Sequence, residues 1–326
     1  GVETTELSGM LFSKPVEILL SSILTEGELE TIVVDARGSA TPQQLIDWPL
    51  QSDFVGNILG YSGGEVFFDS QLRLEQATAN GRPNSLHIDS SLQGASLSLP
   101  EPFAKPLAGE MPLSLNIEFG EKQKISGRFA DNLGFRLGLE AGAINDGIVY
   151  LSEMQSNLEN LAASPTQGVA IVGDLGYLKL EQWTDFLDGF GGQTSRNELD
   201  SMIAFVDLQL DQLELYEQVL PDVAVRIELH PVLSSWSVEL VSDSILGQVD
   251  IPFSDDDYLL IDLDYLKLPD EQEDLAALNG SAIREIKAMD LEAVDPLVDI
   301  DPRSLPKMIF STDEFSIGTK PYGSWR

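Results

Sequence analysis

Apolar and polar residues alternate with a period of two through three consecutive segments between Met111 and Ile144. Short polar loops at 120–124 and 130–132 separate the segments, and the apolar residues keep odd positions throughout. A period of two is that of β-strands, and loops this short join antiparallel neighbours. The stretch is therefore predicted to be an antiparallel meander with one apolar face. The apolar odd positions are Leu113, Leu115, Ile117, Phe119, Ile125, Phe129, Leu133, Phe135, Leu137 and Leu139.

The second half of the chain repeats this pattern. Alternation of the same kind recurs in several segments, and each is predicted to be a strand with one apolar face. These segments are 206–210, 223–229, 236–240 and 249–253, and further strands are predicted at 258–268, which is rich in Leu and Asp, and at 308–317. The sequence therefore predicts a mainly β protein.

A few short helices are expected among the strands. Thr41 followed by Pro42 places an N-cap residue before a proline at the first helical position. Residues 181–187 have helical spacing and carry Trp183, which we interpret as an anchor that holds the helix on the sheet. The apolar run 13–27 is also predicted to be a short helix.

The stretch LPEPFAKPLAGEMPL precedes the meander and contains too many prolines for a central strand. It is predicted to be an exposed or edge-covering loop. Its apolar residues Phe103 and Leu107 are lid candidates for the apolar face of the sheet, and contact with a partner is the alternative. Upstream of the loop, the parity of the apolar positions changes at Gly94, as a β-bulge would require.

The chain is strongly acidic. Its 54 acidic and 19 basic residues give a formal net charge of −35. This charge repels nucleic acid and anionic membrane surfaces, so neither is an expected partner. The absence of cysteine excludes disulfides and thiolate chemistry. No apolar run reaches the roughly 18 residues that a membrane-spanning helix needs.

No motif predicts catalysis, a metal or a cofactor. His87 and His230 hold polar positions of separate strands without metal-site spacing. The acidic run 255–257 lacks the other residues of a calcium loop. Trp48, like Trp183, is interpreted as a structural anchor. A carbohydrate-active enzyme would need a selected pair of carboxylates, and nothing in the sequence selects one.

Residues 1–326 are predicted to form a single elongated β unit, with a candidate internal boundary in the glycine-rich stretch 189–197. The last segment stops abruptly after a strand and turn. We therefore interpret the chain as a fragment of a longer protein.

Several blocks occur in the pattern and order of a known family. They are SLQGASLSLPEPFAKP with the following MPLSLNI, LGYLKLEQWTDFL, WSVELVSDSILGQVDIPF with the following LIDLDYLKLP, and DPLVDIDPRSLPKMIFSTDEFSIGTKPYGSW. Together they resemble the YhdP branch of the AsmA-like proteins of the Gram-negative envelope. The blocks span most of residues 90–326, and residues 1–80 match more loosely.

The resemblance implies a long, strongly twisted sheet curled into an open apolar groove. It implies a periplasmic protein, tethered to the inner membrane by a helix absent from this fragment, that moves phospholipids between the inner and outer membranes without catalysis. Contact with either membrane would come from parts outside the fragment. The expected partners are phospholipid acyl chains, and the expected lining is Leu113, Leu115, Ile117, Phe119, Phe129, Leu133, Phe135, Leu137, Leu139, Val223, Val225, Ile227 and Leu229.

Alternation leaves one choice open, because the wall of a groove and the core of a closed sandwich have the same pattern. The alternative function is therefore a closed β-sandwich that acts as a structural or protein-binding spacer of the envelope. Binding of acyl chains in a groove would be favoured, because each methylene removed from water contributes about 0.8 kcal/mol. The acidic exterior predicts that acyl chains are contacted while headgroups stay in solvent.

Overall fold

The computed structural model describes residues 2–25, 28–47, 53–76, 82–140, 143–152, 165–189, 202–215, 218–230, 235–254, 257–268 and 307–326. This part of the chain is mainly β with a few short helices, as predicted. It divides into two compact units. The first comprises Gly1–Leu175 and Lys179–Ala204, and the second comprises Gly176–Leu178 and Phe205–Arg326.

The first unit contains most of the short elements. Its strands are β1 (Val2–Leu11), β2 (Lys14–Thr25), β3 (Glu28–Ala40), β4 (Ser62–Gly64), β5 (Val66–Glu75), β6 (Asn84–Ser90), β7 (Ala95–Leu97), β8 (Leu113–Phe119), β9 (Gln123–Phe129), β10 (Leu133–Glu140), β11 (Ala143–Leu151) and β12 (Gly168–Lys179). Its helices are α1 (Pro42–Ile46), α2 (Asp53–Gly60) and α3 (Leu180–Gly189). Gly176–Leu178 of β12 belong to the second unit.

Ten of these strands form one sheet, and each of the ten pairs with the next of them along the chain. The strands β1, β2, β3, β5, β6, β8, β9, β10 and β11 are antiparallel in that order, and β12 lies parallel to β11. The short strands β4 and β7 form a separate pair. The predicted meander is therefore present, but the parallel pair was not predicted. Residues 152–167 provide the longer connection that parallel strands require.

Lys14–Thr25 of the run 13–27 forms strand β2, so the predicted short helix is wrong. Val16, Ile18 and Leu20 alternate along β2 and project on one face of the sheet, between β1 and β3. Pairing with a strand on each side satisfies the backbone of this segment, which outweighs any helical preference of its sequence.

Gly94 lies in a turn between strands of different sheets, so the predicted bulge is also wrong. Strand β6 ends at Ser90, and β7 begins at Ala95 and pairs with β4. Leu92 and Gly94 have φ values of 51° and 87°. The parity changes here because the chain leaves the large sheet.

Helix α1 begins as predicted, with Thr41 as its N-cap. The Thr41 hydroxyl accepts a hydrogen bond from the Gln44 backbone N–H, and Gln44 Oε1 accepts one from the Thr41 backbone N–H at 2.9 Å. This is a capping box. Gln44 Nε2 also donates to the Phe12 carbonyl oxygen at 2.8 Å, which joins α1 to the turn between β1 and β2.

The second unit contains the strands β13 (Ile203–Leu215), β14 (Gln218–His230), β15 (Ser235–Val241), β16 (Ile245–Pro252), β17 (Leu259–Leu268), β18 (Met308–Ile317) and β19 (Lys320–Trp325). The first two residues of β13 belong to the first unit. Each strand pairs with the next, and all pairs are antiparallel except β17 with β18. The strands predicted in this half are therefore present.

Some predictions concern residues beyond the described part. Trp48, Asp255 and Asp256, the side chain of His230 and most of the stretch 189–197 lie outside it. None of the described helices is both long enough and apolar enough to span a bilayer.

Candidate functional site

The strand register extends the apolar face of the meander across the whole sheet of the first unit. Residues directly opposite one another in paired strands project on the same face. Leu115 lies opposite Ile88, and Leu137 lies opposite Ile125. The same face also includes Leu7, Ile18, Leu20, Val34, Ala36, Leu72, Leu74, Leu86, Ile117, Val149 and Leu151. We call this surface the first apolar face.

The opposite face of the same sheet is polar at its centre, although Val33 and Ile148 on that face are apolar and buried. One row across it consists of Asp35, Gln71, His87, Asn116, Ser126 and Arg136, each opposite the next. Gln71 Nε2 donates to Asp35 Oδ1 at 2.8 Å within this row. The two sides of the sheet therefore differ sharply in polarity.

The predicted lining residues of the meander all lie on the first apolar face. Phe119 is 39% exposed, and the other residues are half-buried. The side chains of Leu115 and Phe135 close over Gly127, each 2.9 Å from the position that a β-carbon would take there. The face is thus an apolar layer, neither fully sealed nor fully open to water. The half-buried residues are Leu113, Leu115, Ile117, Phe129, Leu133, Phe135, Leu137 and Leu139.

The second unit has an apolar face of its own, on which the predicted residues of β14 lie. Val225 is opposite Leu208 and Leu240, and Ile227 is opposite Val206 and Val238. Exposure increases along the strand. Val223 is 0% exposed, Val225 and Ile227 are half-buried, and Leu229 is 52% exposed. One end of this face is therefore a core and the other end meets solvent.

An aromatic cluster covers one end of the first apolar face. We define the cap as the rings of Tyr61, Phe103, Trp183 and Phe186. Phe103 is 6% exposed, and its ring centroid lies 6.3 Å from that of Phe129 on the face. Trp183 stands edge-on to Phe103 at 6.0 Å and to Phe186 at 6.1 Å, and Phe186 lies 4.9 Å from Tyr61. The cap joins α3 to the proline-rich loop and to the end of α2.

The cap lies at one end of the strands because the chain topology brings its segments together there. The helices α1 and α2 and strand β4 connect Ala40 to Val66, which are opposite one another in the sheet. Strand β7 and the proline-rich loop connect Ser90 to Leu113, which are likewise opposite. We call this the closed end of the sheet. The open end is the opposite one, where Leu74 and Phe119 are exposed.

The two lid candidates occupy different places. Phe103 packs on the first apolar face through Phe129. Leu107 is 55% exposed, and its Cδ1 approaches within 2.8 Å of the position that a β-carbon would take on Gly64 of β4. Leu107 therefore contacts the small sheet at the closed end. The lid function of both residues stays a prediction.

Lys105, between the two candidates, was not singled out from the sequence. It is buried, and its ammonium donates to the carbonyl oxygens of Ala95 at 2.5 Å and Pro106 at 3.3 Å. Burial lowers the pKa of Lys105, and the nearby Glu110 opposes this only in part. The sequence signal that could have identified Lys105 is its position as a cationic residue within an otherwise apolar, proline-rich loop. Tyr61 and Phe186 were also missed, although Phe186 follows Trp183 at helical spacing.

The buried Lys105 predicts a pH dependence of stability. Because its pKa is lower in the folded state, the unfolded chain binds more protons between the lowered value and the ordinary lysine value. The free energy of unfolding should rise with pH across this window. In urea unfolding between pH 7 and pH 10, the free energy of unfolding should rise more for the parent chain than for the Lys105→Met variant. Parallel pH profiles of the two proteins would contradict the prediction.

Ion pairs lie at the closed end of the sheet and on the polar face. Lys14 Nζ is 2.8 Å from Glu65 Oε1, and hydrogen bonds from Lys14 and Ser39 lower the pKa of Glu65. His87 Nε2 is 2.9 Å from Asp89 Oδ2 on the polar face. Among the residues that the structure places, no group of three His, Asp or Glu side chains could hold a metal ion.

The sequence was also compared with known proteins. A family model described as "YhdP protein" matches residues 1–326. No curated protein and no solved structure matches the chain.

Proposed function

Because this chain belongs to the YhdP family, we propose that it is a non-enzymatic lipid-transfer segment of the Gram-negative envelope. In this proposal, the apolar face of each unit holds phospholipid acyl chains during transport between the inner and outer membranes. The segment works in the periplasm, in a protein tethered to the inner membrane. Parts outside the segment contact the membranes.

The observation that carries the proposal is the first apolar face, which continues by register from β1 to β11. Leu20, Leu74 and Phe119 on this face are exposed although they are large and apolar. Large apolar side chains that stay exposed together on one face are typical of binding sites. An acyl chain is a suitable occupant because it needs no polar partner.

The energetics favour loose and movable binding. Each methylene withdrawn from water contributes about 0.8 kcal/mol, and equivalent Leu, Ile, Val and Phe side chains provide no single tight site. A lipid can therefore slide along the face at little cost. The net charge of −35 disfavours contact with anionic headgroups, so headgroups stay in solvent.

The alternative, a closed sandwich acting as a spacer, requires a second layer over the apolar face. The described elements of the first unit outside its large sheet lie at the closed end, where the cap packs on the face. This arrangement favours the lipid-transfer proposal over the spacer.

A charge placed at the open end should prevent lipid binding. We expect the double substitution Leu74→Glu and Phe119→Glu to reduce co-purified phospholipid about tenfold. A carboxylate beside an acyl chain must lose its water without gaining a hydrogen-bond partner. Both side chains are exposed, so folding should be retained. The measurement is mass spectrometry of lipids bound to the 326-residue chain purified from the periplasm of a Gram-negative host.

Phe67→Glu is the matched control, because Phe67 is 66% exposed and projects on the polar face, opposite Ser39. It should leave bound phospholipid unchanged. If the parent chain carries no phospholipid, or if the double variant retains it all, the proposal is wrong.

A further inference from the structure

The first apolar face is asymmetric along its strands. At the closed end, Val16, Ala40 and Leu151 are buried. At the open end, Leu74 and Phe119 are exposed. A linear apolar molecule lying along the strands would therefore meet protein at one end and solvent at the other.

The closed end is suited to the hydrocarbon end of such a molecule. Phe103 lies over Phe129, which is opposite Leu113 and Leu133 on the neighbouring strands. Trp183 supports Phe103 edge-on, and its Nε1 donates to the Glu101 carbonyl oxygen at 3.3 Å. Phe103 therefore contacts the face on one side and Trp183 on the other, and Trp183 is hydrogen-bonded to the proline-rich loop.

Charged residues occur at both ends, but those of the closed end, such as Lys14 paired with Glu65, lie outside the cap. The cap consists of uncharged rings, and the nearby Lys105 ammonium is bonded to two backbone carbonyls. At the open end, the turn between β8 and β9 carries exposed Glu121 and Lys122. An amphiphile with its methyl end at the cap would place its polar end beside hydrated, charged residues.

The length of the strands agrees with this orientation. Strand β8 has seven residues from Leu113 to Phe119, which corresponds to about 20 Å. That length is close to the extended length of a fatty acyl chain. A chain of this size would extend from the cap to the exposed Phe119.

We propose that Phe103, supported by Trp183, is the stop for the methyl end of an acyl chain lying along β8–β10, and so sets the chain length that the first apolar face prefers. This inference rests on the proposed lipid function. Affinity should rise about fourfold per added methylene until the chain reaches the cap. It should then level off or fall, because a longer chain must leave methylenes in water.

The test is a series of mono-acyl phospholipids of increasing chain length, below their micelle concentrations, titrated into the 326-residue chain by calorimetry. Phe103→Ala should move the optimal length up by several methylenes, because removal of the ring opens space in front of Trp183. Phe103→Leu removes less volume and should move the optimum in the same direction by less. It also keeps the test valid if the alanine variant does not fold. Phe67→Ala, on the polar face, is the control and should leave the optimum unchanged.

The outcomes separate the two proposals. A parent chain that binds no mono-acyl phospholipid would overturn the lipid function itself. Binding without an optimal length, or an optimum that is the same in the parent and the folded Phe103 variants, would overturn the stop alone. A longer optimum in the Phe103 variants but not in Phe67→Ala would support it.

Discussion

Substitution of Gly173 by alanine is expected to destabilise the first unit by about 4 kcal/mol or more, a loss at the extreme of single substitutions. Gly173 has a φ of 129°, which a residue with a β-carbon rarely adopts. In addition, a β-carbon at this position would overlap the carbonyl oxygen of Leu151, its opposite residue in the parallel pair of β11 and β12. The overlapping atom belongs to the backbone, so the strands themselves would have to separate.

Gly9→Ala is the control for this prediction. Gly9 lies on the first apolar face, where a β-carbon would meet Val16 Cγ1 at 3.6 Å and Ile18 Cδ1 at 3.8 Å, both ordinary contacts. We expect its free energy of unfolding to be unchanged or raised by less than about 1 kcal/mol. Urea unfolding followed by circular dichroism measures both variants. Similar unfolding midpoints for the two would show that the close approach of β11 and β12 is not required for stability.

Leu210→Ala is expected to cost about 2–5 kcal/mol in the second unit, because it leaves a cavity in a closely packed region. Leu210 is buried and lies opposite Val223, which has no exposed surface. These two residues form part of the buried end of the second unit's apolar face.

Leu229→Ala, on the strand β14 that also carries Val223, should cost less than about 1 kcal/mol, because the side chain is already largely in water. Chemical denaturation of each variant against the parent chain gives both values. If the two substitutions cost the same, the face would be packed evenly along its length, and its exposed end would not be available to a ligand.

Much of the fold could be predicted from the sequence because strand periodicity is a local property. The odd apolar positions of the meander lie on one face, since neighbouring side chains of a strand alternate whatever the tertiary structure is. The N-cap at Thr41 was predictable for a similar reason, because a capping box involves only four consecutive residues. The acidic surface charge also follows from composition alone.

Features that depend on distant segments could not be predicted in this way. Lys14–Thr25 is a strand because β1 and β3 pair with it, and the parity change at Gly94 marks a turn because β7 pairs with β4. The two parallel pairs depend on connections whose paths the local pattern does not contain.

The sequence by itself determined most of the strands, the apolar side of each of these strands and the resemblance to the YhdP family. Only the tertiary structure decided which part of the first apolar face is covered. It placed Phe103 on Phe129, left Leu107 exposed and buried Lys105. The physical reason is that alternation depends on bonds between adjacent residues, whereas coverage depends on which distant segments meet at the end of the sheet.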